Sequence, residues 1–223
     1  VRVYLHSGQK AFEFATEREK YHFYPMNVAS MRNSGRFILM GPYFEKDGRI
    51  TKDRSLGLSV WSMDNQGNII KQAYNSWTNE IGKYVKTNSK GRVDELGYIY
   101  FHKIIQTRDG KIFGIGEGYS KTSPARVKIT DMLLLQFDQS LNITDARIFE
   151  KANNHFQFPS GYDVSGAQTL ALKIKAYEGF DYSFFLTDKD RTLFTVGYTD
   201  YVRSKDYKGL TFNFHRTFHD YNG

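Results

Sequence analysis

Residues 98–150 read YIYFHKIIQ, TRDG, KIFGIGEGY, a looser segment, then DMLLLQFD, QSLN and ITDARIFE. Short apolar runs bounded by Gly, Asp, Asn and Ser are the pattern of strands joined by turns. This stretch therefore predicts four strands. Alternation is weak in LLLQF, residues 133–137, as expected for a strand covered on both faces.

The same plan occurs earlier and partly again later. Three polar turns each lead into a short apolar strand that carries a glycine: MRNSG into RFILMG, QTRDG into KIFGIG, and TDKDR into TLFTVG. The last turn residue (Gly35, Gly110 or Arg191) precedes the strand glycine (Gly41, Gly116 or Gly197) by six positions each time. The intervals between strand glycines are 75 and 81 residues. A second strand pair follows the first two turns, with Asp64 matched to Asp138 and Asn68 to Asn142 at an offset of 74.

The expected architecture is all-β: a β-propeller-like array of four-stranded antiparallel units with long inserts, possible as an incomplete ring. The units span about residues 21–75, 97–150 and 180–215, with a partial unit at 1–14, in a single domain over 1–223. The chain thus opens and closes mid-repeat, as an excerpt of a longer protein or a ring that shares strands between its ends would. Pro25 makes the strand over 21–30 irregular. The inserts fall at 73–96 and 151–179, with loops, extra strands or a short helix at 166–177 as the alternatives. Residues 121–129, which include SPAR, read as a turn or loop.

Composition narrows the chemistry. With 16 Tyr and 18 Phe the chain favours strands, and with no Cys it has neither disulfides nor thiolate chemistry. No apolar run is long enough to span a membrane. The first residues lack the form of a signal peptide, so any targeting segment would have been removed beforehand. The net charge of +7 comes from scattered residues, including Lys52, Arg54 and Lys103, which reads as a basic surface rather than a nucleic-acid-binding face.

No motif assigns a catalytic residue, a metal or a cofactor. Asp188 and Asp190 sit in a turn, where turn chemistry explains them. His215 and His219 are four apart but lie in a strand-like segment without HExxH. His102 reads as a packed or edge histidine in a strand. Gly114, Gly116 and Gly118 are evenly spaced and end a hairpin, so they fit close backbone packing rather than a dinucleotide loop. Tyr43, Tyr119 and Tyr198 lie just past the strand glycines, and Tyr201 follows. They form either an aromatic rim for a glycan or protein, or a cap on the hydrophobic layers.

TRDGKIFGIGEGY, DMLLLQFDQSLNITDARIFEK and LSVWSMDNQGNI resemble blades of bacterial β-propeller proteins. More narrowly, they are similar to uncharacterised exported proteins of the Bacteroides group. The resemblance implies export to the periplasm or cell surface and carries over no active-site residues. The expected function is a binding or scaffold module for protein or carbohydrate. The alternative is a glycan-acting enzyme with a central cleft, for which Glu117 and Asp131 are the candidate acids.

Overall fold

Gly35, Gly110 and Arg191 all adopt left-handed backbone, with φ of +61°, +83° and +55°. The three turns therefore share a conformation as well as a sequence pattern, and Arg191 holds it without the freedom of glycine. The computed structural model describes residues 2–4, 7–14, 20–32, 34–159 and 166–200, together with the backbone of 214–217.

Among the described residues the fold is all-β with one α-helix. A hairpin, β1 (Arg2–Tyr4) and β2 (Lys10–Glu13), precedes sheet one. Sheet one contains β3 (His22–Phe23), β4 (Asn27–Ser30), β5 (Phe37–Phe44), β6 (Gly57–Met63) and β7 (Ile69–Ser76). Both β3 and β4 pair with β5, so this antiparallel sheet is four strands wide with a broken first strand. The break is at Pro25, flanked by hydrogen bonds from Tyr24 N to Pro42 O and from Met26 N to Met40 O. Proline lacks the N–H that would continue the ladder.

Sheet two contains β8 (Tyr98–Gln106), β9 (Ile112–Ser123), β10 (Arg126–Phe137), β11 (Ile143–Phe149) and β12 (Asn154–Gln157). It is also antiparallel and four strands wide, with β11 and β12 sharing the edge of β10. Residues 121–129 differ from the loop expected there. Paired backbone continues to Ser123 and resumes at Arg126, leaving only Pro124 and Ala125 to turn. The extra length gives β12 a place to pair. Sheet three contains β13 (Tyr182–Thr187), β14 (Phe194–Tyr198) and β15 (Phe214–Thr217). The second insert supplies β12 and α1 (Ala167–Ala176), in agreement with the helix considered at 166–177.

Asp64 and Asp138 occupy matching turns. Each Oδ1 accepts from the backbone N–H two and four residues on, at 2.8–3.0 Å. The following Gly67 and Leu141 both have positive φ, at +92° and +70°.

The sheets stack face to face. Ile38, Met40, Leu58 and Val60 of sheet one pack on Phe101, Ile104, Leu133, Leu135 and Phe137 of sheet two. The opposite face of sheet two presents Ile115, Met132 and Leu134 to Phe194, Val196 and Tyr198 of sheet three. Successive residues from Met132 to Leu135 thus enter alternate cores, which explains the apolar run there. Helix α1 covers the far end of sheet two through Leu170, Ala171 and Ile174.

Although sheet two lies between them, sheets one and three meet at one end. Arg32 N donates to Gln106 Oε1 at 3.2 Å, and Arg108 N donates to Arg191 O at 3.0 Å. Arg191 Nη1 donates to Ser30 O at 2.8 Å. All three left-handed turns therefore converge at that end.

The strand glycines permit close approach. A Cβ on Gly41 would lie 2.0 Å from Tyr24 O, and one on Gly116 would lie 2.6 Å from Ile99 Cγ2. On Gly114 it would meet Met40 Sδ of sheet one at 3.0 Å. Even spacing puts the three glycines of β9 on one face, as a two-residue strand period requires.

Candidate functional site

The tyrosines past the strand glycines are not a surface rim. Tyr43, Tyr119 and Tyr198 are only 4%, 0% and 3% exposed. Tyr43 packs against Tyr21 and Tyr74 at centroid distances of 5.1 Å. Tyr119 donates its hydroxyl to Ala167 O at 2.8 Å, anchoring α1. Tyr198 closes the core between sheets two and three, where burial pushes its phenol up to about 12. The rings cap hydrophobic layers, the second of the two sequence readings. They lie two, three and one residues past their glycines, so strand alternation puts Tyr43 on its glycine's face and Tyr119 and Tyr198 on the opposite one. Tyr201 lies outside the described residues.

A charged cluster is buried instead between β9, the segment after β11 and the start of β13. Glu117 Oε2 accepts from His102 Nε2 at 3.2 Å and from Tyr182 N at 3.1 Å. Its Oε1 accepts from Asp181 N at 3.1 Å and lies 3.3 Å from Lys151 Nζ. Lys151 Nζ donates to Asp181 Oδ2 at 2.6 Å, and Asn154 Nδ2 donates to Asp181 Oδ1 at 2.8 Å. The side chains of Glu117, Lys151, Asp181 and His102 are at most 3% exposed.

The His102 ring stacks on Tyr182 at 4.4 Å and meets Phe180 edge-on. The bond to Glu117 places its proton on Nε2. Nδ1 has no hydrogen-bond partner among the described residues. Burial pushes the imidazole pKa down, against the pull of Glu117. Burial, with Glu117 nearby, pushes the Asp181 carboxyl up despite Lys151. Apart from His102 Nδ1 these groups engage one another, and the arrangement acts as a clamp fastening sheet three to sheet two.

Glu117 and Asp131 therefore do not face a common cleft as paired catalytic acids. Glu117 is enclosed, and Asp131 Oδ1 accepts from Lys151 N at 2.9 Å. Asp188 serves its own turn, accepting from Leu193 N and Thr192 Oγ1 at 2.8 and 2.6 Å. Asp190 pairs with Arg32 at 2.8 Å. His215 belongs to a strand whose side chains are not described, and His219 lies outside the described residues. Among the described residues no three His, Asp or Glu side chains gather as a metal site. No helix among them is long and apolar enough to cross a membrane.

An open cleft of about 340 Å³ lies between the 52–55 loop, Lys90, the outer part of sheet two and the first residues of α1. Lys52, Arg54, Lys90 and Lys121 line it, with Tyr98, Ser55 and Gln168. The lining carboxylate among the described residues, Asp53, accepts from Arg49 N at 2.5 Å. Thr169 Oγ1 donates to Thr51 O at 3.4 Å and braces α1 against the loop. Three chain segments contribute the cations, so no run in the sequence announced them.

No curated protein matches the chain. The profile of a family described as "Family of unknown function (DUF6770)" matches residues 1–126 and 120–222. Those two segments take in nearly the whole sequence, and the chain belongs to that family of unknown function.

Proposed function

We propose that this chain is an exported, propeller-like binding or scaffold module whose partners are protein or carbohydrate. The observation that carries the reading is the convergence of the three turns at one end of a face-to-face sheet stack. Four-stranded sheets that fan about a common line are the plan of propeller blades. Propellers commonly serve as rigid platforms that present loops to a partner, and fold alone assigns no chemistry.

The non-catalytic half of the reading is supported by the fate of the acids. Glu117 spends its oxygens on four donors inside the protein. A general acid needs to reach a substrate oxygen at hydrogen-bond distance. Screening glycans and candidate proteins by biolayer interferometry, with product analysis of the glycans, tests the reading. Saturable binding without turnover is the expected result. Release of new reducing ends, abolished by Glu117→Gln in a folded variant, would sink it. Fractionation of the source cells tests export, which requires the protein in the periplasmic or surface fraction.

A further inference from the structure

We infer that the cleft lined by Lys52, Arg54, Lys90 and Lys121 binds an anionic saccharide, a sugar carrying a sulfate or carboxylate group. The inference rests on the binding-module reading and names the ligand class of that module.

Charge is the first argument. Among the described residues Lys52, Arg54, Lys90 and Lys121 line the cleft, and the lining carboxylate of Asp53 is engaged by Arg49 N. Lysine and arginine in a concave site concentrate an anion more strongly than the same charges spread over a convex surface. The first turn of α1, whose N-cap Gly166 has no side chain to cap it, adds partial positive charge to the same wall.

Size and polar lining give the second argument. About 340 Å³ lies at the small end of ligand-binding pockets. That volume accommodates a ligand of one or two sugar rings rather than a duplex, which needs a broad basic face. Ser55 Oγ accepts from Trp77 Nε1 at 3.1 Å, which leaves its own proton to donate. Gln168 offers both an amide donor and an acceptor, as sugar hydroxyls require. The half-buried Tyr98 ring supplies an apolar surface for a sugar face. The cleft is also braced: a Cβ on Gly166 would lie 2.5 Å from Thr51 O, so α1 and the loop are in contact.

Isothermal titration with three probes tests the inference: a sulfated disaccharide, a uronate disaccharide and the neutral disaccharide cellobiose. The expected result is binding of at least one anionic probe, weakened by added salt, and no binding of cellobiose. Lys52→Ala with Arg54→Ala should weaken it about tenfold or more, and Lys90→Glu should do the same independently. Lys52, Arg54 and Lys90 are exposed, so these variants are expected to fold, which circular dichroism checks. The preferred anionic probe distinguishes sulfate from carboxylate. Equal affinity for cellobiose, no binding of either anionic probe, or unchanged affinity in both variants would overturn the inference. Tighter binding of a single-stranded oligonucleotide would also overturn it. Charge-dependent binding accompanied by cleavage would support this site while sinking the non-catalytic reading.

Discussion

Arg32 Nη2 donates to Asp190 Oδ1 at 2.8 Å, joining the first turn to the third across 158 residues. Its other terminal nitrogen also donates to the Asp190 carbonyl. The two side chains are 29% and 55% exposed, so solvent screens the pair. A double-mutant cycle of Arg32→Ala and Asp190→Ala should give a coupling of at most about 1 kcal/mol. Urea unfolding at low and high salt checks this. A coupling that does not fall with salt would contradict a solvent-screened pair.

Glu117 has far more at stake. Glu117→Ala removes one of the two carboxylates at Lys151 and leaves His102 Nε2 and the N–H groups of Asp181 and Tyr182 without their acceptor. Breaking a buried ion pair from one side costs about 3–5 kcal/mol. Chemical denaturation of Glu117→Ala should show a loss of that size. Glu117→Gln should lose less, because it keeps an acceptor oxygen.

His102 predicts a pH effect of definite sign. Burial lowers its folded pKa below the ordinary value of 6.5, while the unfolded histidine titrates near that value. Between the two the unfolded state binds more protons, so stability falls as pH drops below 6.5 and recovers as pH rises. The groups acting on the ring are Glu117, which opposes the shift, and Lys175, which reinforces it. Thermal unfolding from neutral to mildly acidic pH should show the loss in the wild type. His102→Phe should flatten that part of the profile, even if its overall stability changes.

The strand glycines predict steric effects of graded size. Gly116→Ala drives a Cβ into the Ile99 side chain, which can shift. Overpacking of this kind costs about 1–3 kcal/mol. Gly41→Ala meets the fixed carbonyl of Tyr24 and should cost more. Urea midpoints of the two variants would reverse this order only if the Tyr24 backbone yields more readily than Ile99.

Much of the fold was legible because local chemistry fixed it. The turn residues at 31–35, 107–110 and 188–191 announced their hairpins, and Pro25 announced the break between β3 and β4. The doubly covered run at 133–137 was visible in its missing alternation. The Lys151–Asp181 pair was not visible, because partners 30 residues apart across an insert leave no periodic trace. SPAR misled for a related reason: Pro and Ser mark a turn but do not say how far pairing runs on either side. For Tyr43, Tyr119 and Tyr198 the sequence left a rim and a cap both open, and their burial decides for the cap. A glycine landmark fixes position, while one residue of offset reverses the face. The basic cleft needed the fold itself, since Lys52 between β5 and β6 and Lys121 in β9 meet only in the folded chain.

Sheet two shares a hydrophobic interface with each of its neighbours, whereas the sheet-one and sheet-three cores each meet it from one side. In such a stack cohesion passes from layer to layer, and the middle layer loses two interfaces if it opens while the outer ones lose fewer. Opening should therefore proceed inward from sheet three, with the centre surrendering last. The backbone amides of residues 113–116 and 133–136 should then exchange with deuterium more slowly than those of residues 184–187. The central hairpins would act as the keel on which the rest of the chain is laid.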